Sequence, residues 1–272
     1  MRIFFSLALL LVIGLMPGII RAEEITDPGR KKLLLDGLKG WYYNLPKAGF
    51  AGFTCDVSAS VIEQLNDTLA AGLAPGSPIM KLIRSMKTKL SLDRRGDFTI
   101  TSGNLAFSGN AMADSGAAQA IAGMERSLNG VMGVWRPFVF GAYFSGPESD
   151  YRIFQEPNAY TIVSEQNEVT IKLSGTFVIN EVTVGSDETQ VVMRPTFKLT
   201  DNGYLVDHMD LSYNGMMDVS LGFGYRAVKG IQVPVSIDEK VVLRREDGSA
   251  AEGAEGNLAM VITLSNHAMK KK

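Results

Sequence analysis

The stretch DVSLGFGYRAVKGIQVPVSI, Asp218 to Ile237, alternates apolar and polar residues almost without a break. Val219, Leu221, Phe223, Tyr225 and Ala227 share one face; Asp218, Ser220, Gly222, Gly224 and Arg226 share the other. After Lys229-Gly230 the alternation resumes with Ile231, Val233, Val235 and Ile237. A period of two is the mark of a strand with one greasy face, and the lysine-glycine pair reads as a turn. The same pattern recurs from about Tyr160 onward. TIVSEQNEVTIKLSG reads as a hairpin, followed by TFVINEVTV, TQVVMRPTFKL, YLVDHMDLSY, EKVVLRR and NLAMVITL. Tight turns such as Asp201-Asn202-Gly203 join them, so the second half is an antiparallel meander.

The first half differs. TDPGRKKLLLDGLKGWYYNLPK predicts a helix capped by Asp27, with Pro28 in its first turn and Pro46 as its stop. Its apolar stripe is Leu34, Leu38, Trp41 or Tyr42, and Leu45. GFTCDVSASV predicts a strand, with Phe53, Cys55 and Val57 on one face. The region around 62–87 is helical in parts and broken at Pro75-Gly76-Ser77-Pro78, and KLSLDRRGDFTIT is a hairpin turning at Asp93 to Gly96. DSGAAQAIAGMERSLNGVMGVWRPF predicts a second long helix, capped by Asp114 or Ser115 and ended by Pro137. Ala117, Ile121, Met124, Leu128, Met132 and Trp135 form its stripe. Two striped helices and one long sheet give an α+β fold. A large sheet twists and curls, so the expected architecture is a large curved antiparallel sheet with helices across its concave side.

Composition bears this out as a globular chain: 272 residues, 46% hydrophobic and 21% charged. A formal net charge of −2 argues against a nucleic-acid partner. The start, MRIFFSLALLLVIGLMPGIIRAEE, has the form of a secretory signal peptide over residues 1–22, with cleavage expected after Ala22. That leaves one exported domain over 23–272, with no transmembrane segment once the signal is gone. An uncleaved membrane anchor is the alternative reading of the same apolar run.

The chemistry-bearing residues are sparse. Cys55 is the one cysteine, so no internal disulfide forms, and its strand face makes it a small buried hydrophobe. The match of Gly222 to Ala227 with a dinucleotide-binding motif is accidental, because a strand follows it where a helix is required. Asp207-His208-Met209-Asp210 is the densest polar cluster, but the chain has only His208 and His267, and no spaced set of metal ligands. No nucleophile motif is present. The reading is therefore no enzyme, no cofactor and no metal. Lys270-Lys271-Lys272 reads as a soluble tail.

The order of elements resembles the periplasmic lipoprotein-sorting family, the Lol-type carriers. The features that carry it are the signal, the leucine-rich first helix (Leu34, Leu38, Leu45), the strand GFTCDVSASV after it, and the phrase FGYRAVKGIQVPVSI with Gly230 and Val233-Pro234. The region 62–87 and the helix around Met124 are larger than the simplest carrier needs. The resemblance implies an incomplete β-barrel, a half-barrel located in the periplasm with an apolar cavity for acyl chains, lipid or lipoprotein, acting as carrier or sensor, and an envelope protein as a further partner. Its wall would be Met124, Leu128, Met132 and Trp135 from the helix. Met193, Phe197, Met209, Leu211, Leu221, Phe223, Tyr225, Val233 and Val235 would come from the sheet. Methionine suits such a wall because it adapts to irregular shapes. The same row would equally fill the core of a structural or interaction module. An outer-membrane barrel is a third reading, opposed by the two helices and by few aromatic residues.

Overall fold

The computed structural model describes residues 22–60, 62–64, 77–106, 108–186, 189–244 and 257–270. The expected signal lies outside them except for Ala22, as do the acidic loop 247–256 and the last two lysines. Thirteen strands form one antiparallel sheet: β1 (Glu23–Glu24), β2 (Gly52–Ala59), β3 (Thr88–Asp93), β4 (Phe98–Ser102), β5 (Arg152–Glu156), β6 (Ala159–Ser164), β7 (Val169–Ser174), β8 (Ile179–Val184), β9 (Val191–Thr200), β10 (Gly203–Tyr213), β11 (Met217–Val228), β12 (Ile231–Leu243) and β13 (Asn257–Met269). From β5 to β13 the sheet follows chain order. The last strand then pairs with β2, which leads on to β3 and β4. The order ends at β1 on one side and β4 on the other, so the sheet is not closed.

Among the described residues the long α-helices are α1 (Pro28–Trp41), α2 (Pro78–Ser85) and α3 (Ala111–Phe140). The helix α3 touches β10 and also β4. Six strand spacings separate these two, about 29 Å in a flat sheet. The 30-residue helix could span that along its axis, but Glu125 and Ser127, about 3 Å apart along it, reach β4 and β12, four strand spacings apart, so the sheet curls around α3. Side chains mark both flanks: Ser102 of β4 donates to Glu125, and Ser127 donates to Glu239 of β12.

Capping follows local chemistry. Asp27 accepts from the Arg30 N–H at 2.6 Å, as expected. The α1 helix stops at Trp41, short of Pro46, because Tyr42 leaves helical geometry to bridge Tyr204 of β10. Its buried stripe is Leu35, Leu38 and Tyr42; Leu34 is only half-buried. The long helix starts earlier than the sequence suggests, at Asn110, whose Oδ1 accepts from the N–H groups of Met112 and Ala113. It also runs through Pro137 to Phe140. Proline removes one helical hydrogen bond, but Phe138 and Val139 beyond it are both buried in the core, and that packing outweighs the loss. Gly141 then ends the helix in left-handed geometry (φ 67°). Of the helical region expected over 62–87, residues 62–64 and α2 are helical, residues 65–76 fall outside the described set, and the helix ends before β3 begins at Thr88.

Candidate functional site

The structure brings the sequence-predicted wall together. Met124, Leu128, Met132, Trp135, Met193, Met209, Leu211, Leu221, Phe223 and Val233 are all buried, none more than 5% exposed. They face one another. Trp135, expected at the edge of a cavity, donates its indole N–H to the Tyr225 hydroxyl at 2.8 Å. Phe197 sits edge-on between Tyr42 and Phe138 at ring separations of 5.2 and 6.0 Å. Val235 departs from the pattern and is only half-buried. The β11–β12 register shifts there: Gly224 faces Ser236, while Tyr225 faces Pro234. Val235 is the extra residue of a β-bulge, which turns it out of alternation. The crevice bordering this set, between α3 and β10–β12, holds about 170 Å³, and only Leu211 and Leu221 of the predicted residues line it. Small-molecule sites commonly hold about 300–1,000 Å³.

A larger apolar space lies on the other side of α1. It holds about 420 Å³ and is lined by Arg30, Leu33, Leu34, Gly37, Leu38, Trp41, Tyr160 and Phe177. The α1 residues recur at three- and four-residue steps, so they form a stripe along the helix. Leu33 is 75% exposed and Trp41 44%. The facing wall comes from the sheet. Tyr160 of β6 stacks on Phe177 at 4.8 Å, and Phe177 meets Trp41 edge-on at 5.7 Å.

Phe177 occupies the loop between β7 and β8 with φ at +62°. A left-handed conformation costs a non-glycine residue about 1–2 kcal/mol. Tyr42 holds the loop in place: its hydroxyl donates to the Phe177 carbonyl at 3.0 Å and accepts from the Ile179 N–H at 2.7 Å. Burial pushes that phenol well above the usual tyrosine range, so it stays protonated and able to donate. The aromatic wall is thus fixed before any ligand arrives. The signal for this groove was in the sequence: Leu33, Leu34 and Leu35 are consecutive, and three neighbours on a helix cannot all face one core.

The polar cluster of β10 lies on the outer face. His208 Nε2 is 3.1 Å from Asp210 Oδ1 and 3.1 Å from Ser220 Oγ, and Ser220 donates to Asp210 at 2.8 Å. A catalytic relay needs the serine and the carboxylate on opposite ring nitrogens. Here both meet Nε2, so the three close on themselves. No group of three or more metal-ligating side chains occurs among the described residues. Cys55 is buried, and burial pushes its thiol up to about 12, so it is unreactive. No helix among the described residues is long and apolar enough to cross a membrane.

Comparison of the chain with family models, with curated proteins and with solved structures finds no match.

Proposed function

We propose that this is an exported envelope protein that binds acyl chains without covalent chemistry, as a carrier or sensor, and that the chain lies in the groove between α1 and the β6–β8 end of the sheet. One observation carries the reading: 420 Å³ of apolar groove with a preset aromatic wall and two large side chains left open to solvent. Burying a methylene contributes about 0.8 kcal/mol, so a ~12-carbon chain supplies about 10 kcal/mol gross. Against an association cost of at least ~4 kcal/mol, full burial leaves about 6 kcal/mol, or a Kd of tens of micromolar. An open groove buries less, so the affinity is expected to be modest.

The two tryptophans make the test direct. Trp135 is buried on the inner face of α3, whereas Trp41 lines the groove. A fatty acid in the groove should shift Trp41 emission. A Cβ added at Gly37 meets nothing within 4 Å, so Gly37→Leu projects into the groove. Leucine is also the better helix former by almost ~1 kcal/mol. The variant should therefore be at least as stable as the parent and lose the emission shift. Unchanged binding in Gly37→Leu would remove the groove from the function. The packed interior favours a second reading, a filled-core module that holds an apolar segment of an envelope protein in the same groove. Absence of any binding to free amphiphiles would leave that reading alone.

A further inference from the structure

We propose that the groove is selective for an alkyl amphiphile with an anionic head, a carboxylate or a phosphate monoester, and that Arg30 binds the head. This rests on reading the groove as an acyl-chain site and adds the chemistry of its ligand. The lining is apolar or glycine except for the Tyr160 hydroxyl and Arg30, so Arg30 is the one charged group among the described residues that line it. Its guanidinium donates to Gln155 Oε1 at 2.6 Å, a neutral amide that orients it without cancelling its charge. Asp27, the nearest carboxylate in sequence, is turned to the Arg30 backbone N–H as the helix cap. The neighbouring lysines are engaged elsewhere: Lys31 on the Tyr151 carbonyl and Lys32 on Asp36. A planar guanidinium presents paired donors that match a carboxylate or phosphate.

The order of residues sets the ligand's orientation. Arg30 stands near the start of α1 and Trp41 at its end, three turns or about 16 Å away. Leu33, Leu34, Gly37 and Leu38 lie between. The head therefore meets Arg30, and the chain runs toward Trp41 and Phe177.

The test compares one chain length with three heads: dodecanoate, dodecyl phosphate and dodecyltrimethylammonium, each titrated below its micelle concentration at low salt. Trp41 emission is the readout. Both anions should bind the parent at least tenfold tighter than the cation. Arg30→Gln should bring the anions to within about twofold of the cation and leave cation binding unweakened. Arg30→Lys, which keeps the charge, should retain part of the preference. Whichever anion binds tighter identifies the head, and either supports the proposal. Equal binding of all three heads by the parent overturns it while leaving the groove reading intact. So does an equal loss for all three in Arg30→Gln. Failure of every probe to bind the parent removes the acyl-chain reading of the groove and this inference together.

Discussion

Phe223 distinguishes a packed interior from a cavity wall with one substitution. Its side chain is 5% exposed and lies against Tyr225, with Ile237 opposite it on β12. In such surroundings Phe223→Ala removes ring contacts and leaves a void, a loss of about 3–5 kcal/mol. On the wall of an open cavity the loss would be nearer ~1–2 kcal/mol. Urea unfolding of the two proteins should give the larger figure, and the smaller one would return the acyl site to the interior. Much at this scale was legible. The inward set from Met124 to Val233 follows from period alone, because side-chain direction is a local property of helix and strand. Val235 was not, because a bulge is set by how two strands meet. Tyr160 and Phe177 escaped for a related reason. Each sits on a strand or turn whose own pattern is ordinary, and only their meeting with Trp41 gives them a role.

Among the elements, α1 has the most to hold in place. Its inner stripe packs on the core while its outer stripe lines the groove. It is seated at its C-terminal end on Gly203. Tyr42 bridges Tyr204, and the Tyr43 N–H donates to the Tyr204 carbonyl at 2.8 Å. This seat requires glycine. Its φ is +107°, and a Cβ there would lie 2.5 Å from the Trp41 carbonyl oxygen. Gly203→Ala should push α1 off β10, with a stability loss above ~1 kcal/mol from backbone strain alone. Trp41 emission should move to the red and amphiphile binding should weaken. Parent-like stability and binding in the Gly203→Ala variant would mean that α1 is not held at this point. The Asp201-Asn202-Gly203 turn could be read as a turn from sequence, but its second task as a helix seat could not. The α3 boundaries show the same limit. Local rules put the start at Asp114 or Ser115 and the stop at Pro137, and tertiary burial of Phe138 and Val139 carried the helix further.

At the scale of the whole molecule the sheet is joined by a contact no local rule could anticipate. The meander from β5 to β13 pairs neighbours in sequence, whereas β13 pairs with β2 across some 200 residues. His267 sits at this junction. It lies beside a register shift between Ser265 and Ala268, its ring edge-on to Phe53 of β2 and its Nε2 on the Pro234 carbonyl of β12 at 2.9 Å. Its Nδ1 is buried without a partner among the described residues. A proton there would be desolvated, and burial lowers the affinity of His267 for it, with the Arg226 charge adding to the effect. The folded state therefore binds this proton less readily than the unfolded chain, where histidine titrates near ~6.5. Above that pH both states are neutral at this site and nothing is lost. As the pH falls below it, the unfolded chain gains protons first and the fold loses stability, until the folded group titrates as well. His267→Gln can keep a donor to Pro234 without taking up a proton. Unfolding measured from about pH 7.5 to 5 should show the parent losing stability faster than the variant, the difference opening below about pH 6.5. Parallel curves would mean that the β13–β2 junction accommodates the charge, and acid sensitivity would then belong to the carboxylate pairs on the surface.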